Sequence, residues 1–350
     1  MSKDRMRSIG AWVPADRPLQ SGDQSLVRGL GRLNAPLHLV DLDGSLAWGP
    51  GGRVALGRRP SAQEHPLVAF APALPPSRLG DAGFLTEHGA SLALVGGAMA
   101  NGIASEELVE ALASEGILAF FGSAGCSLAR IEAAIERLQG SLVDRPWGMN
   151  LIHSPGEPEL EAATVDLYLR REVRTVSASA YIDLTLPLVR FRVAGLFRDS
   201  EGRIHAPNRV LAKVSRSEVA RRFLQPPPER FLTELLSSGE ISEEQAAMAR
   251  QIPMAEDITA EADSGGHTDN RPLVVLLPEL LALRDEVSAE QGYPQRPRVG
   301  CAGGISTPSS VAAAFSMGAA YVVAGSVLQA CVESGSSDLV RGMLAAASPS

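Results

Sequence analysis

The run Glu261-Ala-Asp-Ser-Gly-Gly-His-Thr-Asp-Asn-Arg271 places an imidazole directly after a double glycine. Paired glycines let a backbone turn sharply and approach a ligand closely. Histidine is the side chain whose unperturbed pKa suits proton transfer near neutral pH. The apolar and acidic stretch from Ile252 to Ala262 reads as a strand ahead of this segment, and Pro272-Leu-Val-Val-Leu-Leu277 reads as the opening of a helix behind it. On such a loop, at the carboxyl end of a strand, His267 stands where an α/β enzyme keeps a general acid. The competing reading is an imidazole that only hydrogen-bonds within a glycine-rich turn, and Gly266 serves either.

Two other turns carry glycine where a strand gives way to a helix. Gly300-Cys-Ala-Gly-Gly-Ile-Ser-Thr-Pro308 ends a strand at Ala302, Gly303 and Gly304 and then opens a helix with Thr307 as cap and Pro308 in the first turn. Ala324-Gly-Ser-Val327 ends the next strand with Gly325 and Ser326. Side by side, these turns would offer backbone N–H groups to one phosphate monoester; the alternative is a pair of plain tight turns. Upstream, Gly96-Gly-Ala-Met-Ala-Asn-Gly102 is small enough at Gly97, Ala98 and Met99 for a flat ring to lie on its backbone. Asn150, between Met149 and Leu151, suits a donor to a ring carbonyl or nitrogen, or else a turn hydrogen bond. Lys213 could stabilise an anionic reduced flavin, or could be neutralised by Asp257 or Glu261. Phosphate cradle, ring floor, amide, lysine and histidine together describe a flavin mononucleotide (FMN) site.

Eight strands must position these groups. Leu92–Gly97, Ile117–Ser123, Trp147–Ile152, Thr175–Tyr181, Arg209–Val214, Ala255–Ala262, Arg298–Ala302 and Tyr321–Ala324 alternate with stretches of helical spacing such as Ser105–Ala113, Ser127–Leu138 and Pro158–Arg171. Eight strand–helix units close most naturally into a (β/α)8 TIM barrel. A doubly wound open sheet would want a GxGxxG turn after its first strand, which is missing here. The expected order is a loosely ordered segment over residues 1–30, a small β-rich cap and lead-in over 31–90, and the barrel over 91–345. In the cap, Pro36–Gly44 and Arg53–Gly57 read as a hairpin, followed by a strand at His65–Phe70. Two insertions are expected: a hairpin over about 186–207 after strand four, and a helical pair over about 226–250 after strand five, with the capping pattern Ser242-Glu-Glu-Gln245. Each is a candidate lid, partner surface or stabilising decoration.

With 45% hydrophobic and 21% charged residues the chain has the means to bury a core. A net charge of −8 argues against nucleic acid or an anionic membrane as main partner. Cys126, Cys301 and Cys331 form no CxxC pair, so no metal site and no disulfide framework is expected. No apolar run reaches membrane-spanning length and the start lacks a signal peptide's apolar stretch, which suggests the cytoplasm.

Taken as longer motifs, Gly96-Gly-Ala-Met-Ala, Gly148-Met-Asn150, Ala262-Asp-Ser-Gly-Gly-His267, Ala302-Gly-Gly-Ile and Ala324-Gly-Ser resemble the flavin-dependent barrels of the nitronate monooxygenase (2-nitropropane dioxygenase) and flavin enoyl-reductase superfamily. Asn150-Leu-Ile-His-Ser-Pro155, Val165-Asp-Leu-Tyr-Leu-Arg170, Ala178-Ser-Ala-Tyr-Ile-Asp-Leu-Thr185 and Ala255 to Pro272 look like the trans-acting enoyl reductases of polyketide and polyunsaturated fatty acid synthases. The resemblance spans roughly residues 30–345. It implies reduction of an α,β-unsaturated thioester on an acyl carrier protein, with FMN as relay and NADPH as donor. It also implies that Gly303, Gly304, Gly325 and Ser326 hold the phosphate, that Met99 and Asn150 meet the ring, and that His267, oriented by Asp263 and Asn270, supplies a proton. A homodimer is compatible with it. Two other readings share the barrel: a nitronate monooxygenase-like oxidase, and a non-catalytic docking barrel of a synthase. An acidic carrier protein calls for a basic patch, for which Arg170, Arg171 and Arg174, or Arg216, Arg221 and Arg222, are the candidates.

Overall fold

The computed structural model describes residues 7–15, 18–266 and 268–347. Two compact units divide the chain, Met1–Leu79 and Gly80–Ser350.

The first unit is a six-stranded antiparallel sheet. Its neighbours differ from the expected hairpin. Leu37–Leu42 pairs with Ser45–Pro50 through a two-residue turn at Asp43 and Gly44, whose φ values of 53° and 83° are those of the turn that matches strand twist. Arg53–Leu56 pairs instead with Gly10–Val13. The Asp-Gly dipeptide was the stronger hairpin signal, and the Gly-Pro-Gly-Gly run merely redirects the chain. Residues 7–30, expected to be loosely ordered, hold the strand Gly10–Val13 and a helix over Asp23–Leu30. Trp12 accounts for that order: it is buried against Val40, Ala47 and Leu67, and burying one such ring contributes on the order of 2–3 kcal/mol.

The second unit is a closed barrel of eight parallel strands in chain order: β1 (Leu94–Gly96), β2 (Leu118–Phe121), β3 (Trp147–Ile152), β4 (Thr175–Ser179), β5 (Arg209–Val214), β6 (Asp257–Glu261), β7 (Arg298–Ala302) and β8 (Val322–Ala324). Alternation decides its two surfaces. Met149, Leu151, Val176, Ala178, Val210, Ala212, Ile258, Ala260, Val299 and Cys301 share one apolar layer with helix residues such as Ile135, Val165 and Leu276. Burial pushes the Cys301 thiol up to about 12, as befits an inert structural cysteine. The opposite set points inward. Toward the strand N-termini it combines aromatic and charged groups: Phe84, from the helix Ala82–His88, stacks on Tyr321 with ring centroids 4.5 Å apart. A Cβ on Gly300 would lie 2.5 Å from the Tyr321 ring, so that strand position must be glycine. Below the plug, Asp257 takes two hydrogen bonds from Arg298 (2.6 and 2.9 Å) and one contact from His88 Nε2 (2.8 Å).

The insertion after β4 corrects one expectation. Leu186–Val193 is a helix capped by Thr185, and only Phe197–Arg198 with Ile204–His205 forms a hairpin. Leu188, Val189, Phe191 and Val193 are all buried, so the segment fills the helix layer rather than a sheet edge. The helical pair is present as Glu229–Ser237 and Glu243–Ala249, the latter opened by the Ser242–Gln245 capping box. Both insertions lie between the end of a helix and the start of the next strand. The helical pair reaches the loop after β4, where its Arg230 lies 3.8 Å from Asp183.

Candidate functional site

Inward positions near the strand C-termini are polar or small: Gly97, Asn150, Ser179, Lys213, Glu261 and Ala302. The buried amide of Asn150 is held from one side, where the Ser179 hydroxyl donates to its Oδ1 (2.9 Å). Its own carbonyl accepts from Ser123 Oγ (2.6 Å) and Tyr168 OH (2.7 Å), which fixes the backbone of β3. Asn150 Nδ2 takes no partner among the described residues, which leaves a donor facing the mouth. The turn-bond alternative thus applies to its oxygen and leaves its nitrogen available.

Gly97, Ala98 and Met99 belong to a loop clamped by the one after β2. Gly97 N–H donates to Ala324 O (2.8 Å), Ala104 N–H to Met99 O (3.1 Å) and Gly122 N–H to Ala104 O (2.9 Å). The two loops approach so closely that a Cβ on Gly122 would stand 1.7 Å from Met99 O. A bidentate pair between Arg130 and Glu106 (2.5 and 2.7 Å) ties down the helix that follows. The floor is therefore rigid, and it runs on directly to the end of β8.

β7 and β8 pair through Ala302 and Val323, which sets their two glycine turns side by side. Gly303 has φ +97°, and a Cβ there would lie 2.8 Å from Asp263 O, so only glycine lets this turn pack against the end of β6. Gly304 and Gly325 instead face open space, with nothing within 4 Å of a Cβ at either. Among the described residues no protein group accepts from the amides of Gly304, Ile305, Ser326 or Val327, and Ser326 is exposed. Free donors beside space that a methyl would fill match the needs of a phosphate group.

Lys213 is not a free cation. Its Nζ lies 2.7 Å from Glu261 Oε1, with both side chains largely withdrawn from solvent (14% and 6% exposed). Of the two sequence readings, the ion pair holds, with Glu261 and not Asp257. A Cβ on Gly266 would be 3.1 Å from the same Glu261 oxygen, so the loop after β6 folds over the pair. His267 lies outside the described residues. The loop around it is well anchored: Thr268 Oγ1 donates to Glu261 O and Ala262 O (3.0 and 3.1 Å), and Arg216 grips Asp269 through two bonds (2.7 and 2.8 Å). The Arg216 and Ser215 hydrogen bonds hold the Asp269 carboxyl at about 2. Asp263 is exposed and Asn270 takes a φ of +54°.

The arginines suggested for a basic patch are spoken for. Arg170 and Arg171 face Glu132, and Arg174 faces Glu172. Arg216 pairs with Asp269, Arg221 with Glu286 and Glu290, and Arg222 with Asp183. These are solvated, neutralised surface pairs. Sequence reasoning missed Ser179, which orients Asn150; the signal was the period-two alternation of Ser177 and Ser179 in the fourth strand. It also missed His153, whose Nδ1 meets buried Glu161 (2.9 Å) beside the Tyr181 hydroxyl (3.1 Å). Nothing local in the chain links those three.

Among the described residues no group of His, Cys, Asp and Glu could hold a metal ion, and no helix is long and apolar enough to cross a membrane. Comparisons with known proteins agree with the geometry. The chain is 43% identical to a polyunsaturated fatty acid synthase polypeptide of Thraustochytrium sp. over 99% of its own length and 23% of that protein's. It is 43% identical to the polyketide biosynthesis protein PksE of Bacillus subtilis over 76% of this chain and 35% of PksE. It therefore spans about a quarter to a third of these relatives. Among solved structures, the enoyl reductase domain of MlnA, from the macrolactin biosynthesis cluster of Bacillus amyloliquefaciens, superposes with a TM-score of 0.74 and 41% identity. That match covers 77% of this chain and 61% of the other. The family model described as nitronate monooxygenase matches residues 85–348, the whole barrel from its plug helix onward, and the chain belongs to the nitronate monooxygenase family.

Proposed function

We propose that this chain is an FMN-dependent enoyl reductase serving a polyketide or polyunsaturated fatty acid synthase in the cytoplasm. It would act on α,β-unsaturated thioesters carried by an acyl carrier protein, with NADPH as donor. The observation that carries this reading is the 41% identity and TM-score of 0.74 to an enoyl reductase domain, over three quarters of the chain. The residues of the mouth fit the cofactor: amides without acceptors among the described residues beside open space for a phosphate, a rigid small-residue floor, and an amide donor with no partner among the described residues.

The chemistry that FMN supplies when bound is hydride relay between a nicotinamide and a polarised carbon–carbon double bond. The protein's part is to bind and orient. The amides of Gly304, Ile305, Ser326 and Val327 hold the phosphate, with Gly303 and Ala302 fixing one turn and Ala324 and Gly325 the other. Gly97, Ala98 and Met99 would support the ring, and Asn150 Nδ2 would be available to donate to it. Lys213 lies at the same level, paired with Glu261. Gly266 precedes His267, which would deliver the proton that completes the α-carbon.

The test is an anaerobic titration with NADPH, watched between about 350 and 500 nm, followed by a crotonyl thioester. Loss of flavin colour with NADPH and its return with the thioester supports the proposal. Return of colour only with oxygen or an alkyl nitronate assigns an oxidase instead. A protein that stays colourless after incubation with FMN leaves a docking barrel.

A further inference from the structure

We propose that Glu261, through its ion pair with Lys213, sets the electron affinity of a flavin bound in the mouth. This rests on the functional reading above. Lys213 and Glu261 occupy inward positions on adjacent strands, β5 and β6. Register places Lys213 beside Thr259, so Glu261 stands one inward position nearer the mouth. At this level the other inward residues, Gly97, Asn150, Ser179 and Ala302, are neutral. Among the described residues the pair therefore contributes all of the formal charge on the barrel's inner wall near its strand C-termini.

The layer beneath is closed by neutral groups, including the Thr259 and Tyr321 hydroxyls 2.8 Å apart. Replacing a buried ion pair by apolar residues is often neutral or stabilising. Its electrostatic consequence is specific. A buried ammonium favours added negative charge, and a buried carboxylate opposes it, both far more strongly than in water. With the carboxylate 2.7 Å away and nearer the mouth, the lysine's field is largely cancelled. Glu261 thus acts as a brake on reduction of the bound cofactor, and keeps a reduced flavin willing to give up hydride. It is a positioning residue in this sense, acting through Lys213 and through the field.

The experiment compares the parent protein with Glu261→Gln, Lys213→Met and the double variant, each loaded with FMN. Midpoint potentials are measured anaerobically against reference dyes, and FMN dissociation constants by flavin fluorescence. Glu261→Gln is expected to raise the potential, and Lys213→Met to lower it. Each shift should be at least about tenfold in the reduction equilibrium, about 30 mV for a two-electron couple. The double variant should lie closer to the parent than either single change, since it removes a neutral pair; if a lone buried charge prevents one single variant from folding, the other single variant carries the test. Single variants that hold FMN at the parent's potential would overturn the proposal and make the pair structural. A parent protein that binds no FMN overturns the functional reading itself, so the two failures are distinguishable.

Discussion

Three glycines at the two turns separate the fold's needs from the ligand's. At Gly303 an alanine Cβ would sit 2.8 Å from Asp263 O and 2.9 Å from Ala262 C, at a φ of +97°. Both contacts are backbone, so neither can move aside, and Gly303→Ala should cost at least about 2–3 kcal/mol through strain and overpacking. Gly304 has a φ of +69° with open space, so Gly304→Ala should cost only the left-handed backbone term, about 1–2 kcal/mol. Gly325 has neither a positive φ nor a neighbour within 4 Å, and Gly325→Ala should leave the cofactor-free fold within about 0.5 kcal/mol of the parent. Ligand binding should rank differently. A methyl at 304 or 325 enters the space beside the free amides and displaces one charge-assisted hydrogen bond, worth about 1.5–3 kcal/mol. FMN affinity should fall by about 10- to 100-fold in both. Denaturant melts of the cofactor-free protein and fluorescence titration with FMN read the two quantities separately. A Gly325→Ala protein of parental stability that binds FMN with parental affinity would refute the assignment of this turn to the phosphate.

Other consequences follow from the barrel's foundations. Burial would raise the pKa of Asp257, but the charge of Arg298 and the contact with His88 outweigh it and hold the group at about 2. Its stabilisation is therefore complete above an unfolded carboxylate's value of about 3.9 and is lost as the pH falls through about 2. Asp257→Asn should cost about 3–5 kcal/mol at neutral pH, because Arg298 keeps a buried charge, and its melting point should depend less on pH between about 4 and 2 than the parent's. An unchanged acid profile in calorimetry would contradict this. Phe84→Ala removes the ring stacked on Tyr321 and should cost about 3–5 kcal/mol by chemical denaturation. Ser242→Ala breaks one half of a capping box and should cost only about 1 kcal/mol, seen as faster amide exchange confined to residues 243–249.

The strands were legible because each barrel strand buries one full face against helices, so apolar side chains recur at every second residue, as in Met149 and Leu151 or Val210, Ala212 and Val214. Turn chemistry was legible wherever the signal is local: Thr307 before Pro308, and Ser242 three residues before Gln245. The miss at 186–193 has the opposite cause. The segment is apolar on nearly every face because it is buried by the helices of the insertion, so periodicity had nothing to report. The loose reading of residues 7–30 failed because one tryptophan outweighs a polar neighbourhood once a sheet exists to receive it.

At the site, the sequence by itself determined which residue types are present and in which turns: three glycine pairs, an asparagine after an apolar run, a lysine inside a strand, a histidine on a loop. Each is a property of neighbours along the chain. Tertiary structure decided what those residues face. Lys213 has acidic residues 44 and 48 positions away as equally eligible partners; strand register sets it beside Thr259, midway between them, and Asp257 is held by Arg298 and His88 while Glu261 lies 2.7 Å from the lysine. Likewise Asn150 offers its nitrogen because Ser179, from the next strand, has taken its oxygen. Charge neutralisation and hydrogen-bond direction depend on distances of a few ångströms between strands, and the order of residues along one chain does not contain those distances.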